Sequence, residues 1–170
     1  LDNTMLLKMP EIEVLLYEFK LGINTYLGNL EDHLEHPSPP KSLKELITFN
    51  EAHHEQVMPF FAQELFEKAE RRGDLSSEIY LESLKDCRRL SRQQGIDAFM
   101  QKHGLDAFIA PTSGPAWLTD SVNGDPVSIE TSFTPSAVAG YPGISVPLGF
   151  ISGLPVGLSF YGGAWSERML

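Results

Sequence analysis

Apolar positions recur at helical spacing through the first hundred residues and gather into short continuous runs after that. Ile12, Leu15, Leu16, Phe19, Ile23, Tyr26, Leu27 and Leu30 keep the spacing of three and four that lays side chains along one helix face. Pro10 stands just before them, where a helix accepts proline at its first position, and Glu11 and Glu13 suit the positive end of the dipole. A long amphipathic helix is expected from Pro10, with Gly22 a point of kinking. His36–Pro40 (HPSPP) reads as a loop. Ser42-Leu-Lys-Glu45 has the capping-box pattern and opens a helix carrying Leu43, Leu46, Ile47 and Asn50. After Pro59, Phe60, Phe61, Leu65, Phe66 and Ala69 suggest another helical face that ends at Gly73. Ser76 or Ser77 caps a third long helix carrying Tyr80, Leu84, Cys87 and Leu90. It is expected to bend at Gly95 and to run through Ile96, Phe99 and Met100 to Gly104, a C-terminal glycine.

From Leu105 to Gly163 charge thins out and Gly and Pro become dense. Ala107–Ala110, Ile144–Val146 and Pro155–Tyr161 are short apolar runs between turn residues and read as strands. The last two are joined by Leu148–Leu154, a length suited to a hairpin. Neither alternates cleanly, so each is expected to lie between two layers. The fold class that follows is α/β, a mixed β-sheet covered by helices, with residues 1–104 mainly helical and 105–170 a strand and loop segment of the same domain. Three short strands leave edges and faces unpaired. Their neighbours are expected from another chain or from sequence outside these residues; the domain is expected to be incomplete here, with a parent chain that continues on both sides. Exposed apolar surface and self-association are expected with it. Ser166–Leu170 reads as the opening turn of a further helix.

Composition narrows the partners. The 170 residues carry a formal net charge of −10, which disfavours nucleic acid and anionic membrane surfaces. No apolar run reaches the ~18 residues of a membrane span. A single cysteine allows no internal disulfide, which fits a reducing compartment or is simply neutral; a cytoplasmic location is expected. Cys87 on its amphipathic helix reads as a packed thiol. Arg71-Arg72 and Arg88-Arg89 read as solvated pairs.

Self-contained catalysis finds no support in the residues. There is no G-x-S-x-G elbow, no phosphate loop and no G-x-G-x-x-G. Ser113 lies before Gly114 in a loop after a strand, yet no histidine follows His103 and all seven lysines lie between Lys8 and Lys102. His33, His36, His53, His54 and His103 form no zinc pattern, and the adjacent His53 and His54 point about 100° apart on a helix. No metal or cofactor is expected.

Asp106–Thr112 (DAFIAPT), Ala137–Pro147 (AVAGYPGISVP), Gly153–Leu158 (GLPVGL) and Glu167, in this order and spacing, resemble the C-terminal part of the amidase signature family. Tyr17-Glu-Phe-Lys20, Phe49-Asn50 and Phe61-Ala-Gln63 resemble the helical region of its bacterial and plant members. The resemblance implies a hydrolase of carboxylic amides working through a Ser–cis-Ser–Lys triad, with a neutral Lys and backbone N–H groups around the oxyanion. In the family these groups lie N-terminal to the region matched, and no Gly/Ser-rich signature occurs here, so no catalytic residue is assigned. Where many members have Asn, this chain has Ala137. The loop Thr112–Asp125 is the candidate pocket wall, with Ser113, Trp117 and Asp120 as substrate-binding residues for a small-molecule amide in the complete enzyme. Two alternatives stand beside this one: a non-catalytic binding or interaction module, and part of a glutamine-amidotransferase subunit.

Overall fold

The computed structural model describes residues 4–31, 38–124 and 132–170. His33, His36 and Asp125 lie outside them. Among the described residues, seven α-helices and three strands follow one another as α1 Thr4–Gly28, α2 Leu43–Ala52, α3 His54–Val57, α4 Glu64–Glu70, α5 Glu78–Arg88, α6 Asp97–His103, β1 Phe108–Pro111, α7 Thr134–Ala139, β2 Gly143–Ile151 and β3 Leu154–Tyr161. They form two compact units. One combines the segment ending at Glu11 with Leu84–Leu170, and the other is Ile12–Ser83.

The Ile12–Ser83 unit is helical. Its core joins Leu16, Leu43 and Ala69, with Ile23, Ile47 and Phe66 packed around them. Ser42 caps α2, accepting from the N–H of Glu45 at 3.2 Å, while the Glu45 carboxylate takes the N–H of Lys41 at 2.8 Å rather than that of Ser42 itself. Lys20 Nζ donates to the carbonyls of Glu70 (2.6 Å) and Arg72 (2.8 Å), which closes the C-terminus of α4 with a cation. Arg72 is not a free surface cation: its Nη2 donates to Glu13 Oε2 at 3.0 Å and its Nε lies 2.5 Å from Glu13 Oε1. Not every residue at helical spacing on α1 is covered. Ile12, Leu15 and Phe19 line an open apolar groove with Leu65 and Phe66, of about 320 Å³.

Two local expectations change here. Helix α1 begins at Thr4, so Pro10 sits inside it and takes one backbone donor from its ladder; Leu7, in the preceding turn, is buried to 1% exposure. Helix α4 begins only at Glu64, and Phe60 and Phe61 lie outside it and exposed.

In the other unit, the segment Arg89–Ile96 widens and kinks at Gly95 (φ −113°, ψ −110°), where a Cβ would collide with the carbonyl oxygen of Leu90. The buried Ser91 hydroxyl donates back to the carbonyl of Cys87 at 2.7 Å in the same bend. Gly104 closes α6 in the left-handed conformation. Strand order is β1-β3-β2, and both pairings are antiparallel. The hairpin is longer than its apolar runs suggest. Ladder pairs continue to Ile151↔Leu154, and Ser152 and Gly153 make the turn with positive φ at both positions, the twist-matched geometry for a two-residue loop. A bulge between Pro147 and Gly149 absorbs Leu148. The core on this side joins Ile96, Ala139 and Tyr161, with Met100, Phe108 and Tyr141 against them. Phe108 and Tyr161 are direct cross-strand partners and stack at 4.9 Å. The opposite sheet face stays open, with Ile109 59% and Val146 38% exposed.

Candidate functional site

Period-two alternation and the antiparallel register decide which side chains share a sheet face. Ser145 pairs directly with Ser159, and Ser159 with Ala110, so Thr112 at i+2 from Ala110 projects on the same side. There the three hydroxyls meet: Thr112 Oγ1 to Ser159 Oγ at 2.8 Å, Ser145 Oγ to Ser159 Oγ at 2.8 Å, and Thr112 Oγ1 to Ser145 Oγ at 3.2 Å. Ser159 is buried and Ser145 exposed, so the cluster runs from the interior outward. Gly157 makes room for it, since a Cβ there would lie 2.7 Å from Thr112 Oγ1. Two backbone bonds hold Thr112 in place: its N–H donates to the Gly157 carbonyl at 2.8 Å, and its carbonyl accepts from Ser132 at 3.3 Å.

Helix α7 faces this end of the sheet. Its short sequence, with Pro135 in the first turn, is closed by Gly140 in the left-handed region. Arg92 Nε donates to the Ala139 carbonyl at 2.8 Å, and the same guanidinium lies 5.6 Å over the Tyr141 ring. Tyr141 in turn donates its hydroxyl to Asp97 at 3.0 Å. Burial, then the hydrogen bond and charge of Asp97, push the Tyr141 hydroxyl above the ordinary tyrosine range, against the opposing pull of Arg92. Between α7 and the hairpin opens a cleft of about 320 Å³ lined by Phe133, Ala137, Tyr141, Ser145, Ser159 and Tyr161, among others. Burial alone pushes the Tyr161 hydroxyl up.

Ser113, Trp117 and Asp120 all lie on the loop after β1, and none of them lines this cleft. Ser113 Oγ donates to the carbonyl of its neighbour Gly114 at 3.1 Å. Trp117 is half exposed. Asp120 organises its own turn: Oδ1 accepts from the N–H groups of Val122 and Asn123, both at 2.9 Å, and Oδ2 from the Asn123 amide at 2.9 Å. Those bonds hold its carboxyl below the usual range. Among the described residues no group of three or more His, Cys, Asp or Glu is placed to hold a metal ion. No described helix is long and apolar enough to cross a membrane.

The family model for amidases matches residues 8–170. The chain belongs to the amidase family. A probable amidase of Arabidopsis thaliana is 33% identical over 178 residues, covering 96% of this chain and 30% of its own length. Among solved structures, a peptide amidase in complex with the competitive inhibitor chymostatin superposes on 98% of this chain with a TM-score of 0.87 and 43% identity, over 33% of its own length. The native peptide amidase of Stenotrophomonas maltophilia gives 0.82 and 41%, with 98% of this chain and 32% of its own covered. The chain thus spans about a third of the length of the amidases it matches. The amidase motif residues have structural work in this unit: Thr112 and Ser145 build the hydroxyl cluster, Gly140 ends α7 and Gly157 clears space for Thr112. The register that joins these hydroxyls was the missing signal, because Ser145 and Ser159 are unremarkable until the hairpin pairs them.

Proposed function

We propose that this chain is the C-terminal portion of an amide hydrolase whose Ser–cis-Ser–Lys triad lies outside these 170 residues. It supplies scaffold and pocket wall, and the parent chain continues on both sides of it. The observation that carries the proposal is the likeness to peptide amidase over 98% of this chain and 33% of that one. Among the described residues the outer edges of β1 and β2 carry no further strand and the sheet face at Ile109, Ile144 and Val146 is open, which supports it by leaving an edge for strands and a face for a covering layer. Ser113, Trp117 and Asp120 belong, on this proposal, to the wall on the acyl or leaving-group side. Peptide amides are the first substrates to test. The chain alone is inactive and self-associates through its open apolar face.

The test is ammonia release from peptide amides by the 170-residue chain and by the parent protein. Activity in the parent alone is expected. An inactive parent that lacks an upstream Lys and Ser–Ser signature would overturn the proposal. So would activity of the isolated chain that survives Ser113→Ala.

A second reading has one observation behind it. A glutamyl-tRNA(Gln) amidotransferase subunit of Marinobacter nauticus is 44% identical over 94 residues, 54% of this chain and 19% of that one. Ammonia transfer to a tRNA-linked acceptor, rather than free hydrolysis, would distinguish it.

A further inference from the structure

We propose that Asn123–Gly124 is a site of spontaneous deamidation, latched by Asp120 while the turn is closed and released for good once it reacts. The neighbouring residue, solvent access and the hydrogen bonds of the turn carry this inference.

Asn123 is followed by glycine, whereas Asn3, Asn24, Asn29 and Asn50 are followed by Thr, Thr, Leu and Glu. In this reaction the backbone nitrogen of the next residue attacks the side-chain carbonyl carbon of the asparagine. A glycine has no Cβ to obstruct that approach. Both residues are exposed, so hydroxide and water reach them.

The step balances without any other reagent. Hydroxide removes the proton of the Gly124 N–H, a bond forms from that nitrogen to Asn123 Cγ, and the Cγ–Nδ2 bond breaks. Nδ2 takes a proton from water and leaves as ammonia. Water then opens the resulting succinimide ring at one of its two carbonyls, giving an aspartyl or an isoaspartyl residue. Either product carries a carboxylate where the amide was neutral.

In the closed turn every group that must move is engaged by Asp120. The attacking nitrogen donates its proton to the Asp120 carbonyl at 3.0 Å. The leaving Nδ2 donates to Asp120 Oδ2 at 2.9 Å, and the Asn123 backbone N–H donates to Oδ1 at 2.9 Å. Attack therefore requires the turn to open first. The aspartyl product cannot remake the side-chain bond: a second carboxylate then faces Oδ2, and like charges repel. The reaction adds a negative charge to the loop that carries Trp117 and removes the bond that held the loop's turn.

Peptide mapping by mass spectrometry tests the site, on the chain kept in mildly alkaline buffer and in guanidinium chloride. Conversion of amide to acid at Asn123 is expected, at least about tenfold slower in buffer than in denaturant. The other four asparagines are internal controls and should stay intact over the same period. Asp120→Ala should raise the rate in buffer about tenfold, the worth of one hydrogen bond to a charged group. Where that variant changes the far-UV spectrum, Asp120→Asn takes its place, with a smaller rise, because it keeps one acceptor oxygen. Asn123→Asp, which makes the aspartyl product directly, should speed hydrogen exchange at the Gly124 amide. An intact Asn123 in denaturant, equal rates in buffer and denaturant, or equal rates with and without the Asp120 carboxylate would overturn the proposal. So would unchanged Gly124 exchange in Asn123→Asp.

Discussion

Asn50 and Gln63 are joined side chain to side chain, with Asn50 Nδ2 donating to Gln63 Oε1 at 3.1 Å. Gln63 passes the connection on, donating from Nε2 to the Ile47 carbonyl at 3.2 Å. The bond bridges Pro59 and ties the non-helical stretch before α4 to helix α2. Gln63 is buried, so truncation removes both the acceptor of the Asn50 amide and the donor to the Ile47 carbonyl. Gln63→Ala should cost about 1–3 kcal/mol, and the Asn50→Ala, Gln63→Ala double variant less than the sum of the singles. Urea unfolding of the four proteins measures it. Strict additivity would show that the bond carries no stability.

That pair also shows how the chain is legible. Phe49-Asn50 and Phe61-Ala-Gln63 are two separate fragments in sequence and one contact in space. Features fixed within a few residues were readable: the Ser42 cap, the bend at Gly95 and the left-handed Gly104. Features fixed from a distance were not. Helix α7 hides because Thr134–Ala139 is short and proline-bearing, and its last carbonyl is satisfied by Arg92, 47 residues away. Arg72 looked solvated because its partner Glu13 lies 59 residues off. Phe61 has helical spacing to Leu65, but the backbone beside Pro59 is not helical. Of the candidate site, the turn positions could be read, whereas the hydroxyl cluster depends on a register that the bulge after Pro147 helps set.

Two glycines should respond with opposite signs to the same substitution. At Gly157 a methyl group would lie 2.7 Å from Thr112 Oγ1 and 3.3 Å from Thr112 Cβ, and Thr112 is held by two backbone bonds. Gly157→Ala should lose about 1–3 kcal/mol through overpacking. Adding Thr112→Ala should recover part of that by removing the obstacle. At Gly22, inside α1, a methyl group meets nothing within 4 Å. Gly22→Ala should gain about 0.5–1 kcal/mol from helix propensity alone. Thermal unfolding of the variants gives both signs.

The turn at Asp120 should loosen in acid. Its carboxyl is held below the ordinary range by the backbone N–H and side-chain amide of Asn123, and then by the N–H of Val122. A lowered folded pKa means the turn is favoured above the unfolded value, about 3.9 for Asp, and lost as pH falls through the lower folded value. Carbon-detected NMR of the Asp120 carboxyl should give a midpoint below that of an unstructured Asp. The Val122 and Asn123 amide shifts should move together with it. Asp120→Asn should remove this titration from both amides. A midpoint at the ordinary value would show that the three bonds are not kept in solution.

Alkaline pH should act at the other end of the range, through Tyr141. Its hydroxyl is pushed up first by burial and then by Asp97, whose carboxylate accepts its proton at 3.0 Å. A folded pKa above the unfolded value of about 10 means that the protonated hydroxyl stabilises the fold below pH 10, and that this is lost as pH rises through the folded value. Ionised Tyr141 would face a carboxylate, while Arg92 over the ring offsets part of that repulsion. Tyr161 is also raised, by burial alone, so the two must be separated. Tyr141→Phe should remove one tyrosinate step from the ultraviolet titration and leave the Tyr161 step. Asp97→Asn keeps a hydrogen-bond acceptor but removes the charge, so the Tyr141 step should move down while α7 stays folded. An unmoved step would assign the upward shift to burial alone and leave Asp97 as a partner in geometry only.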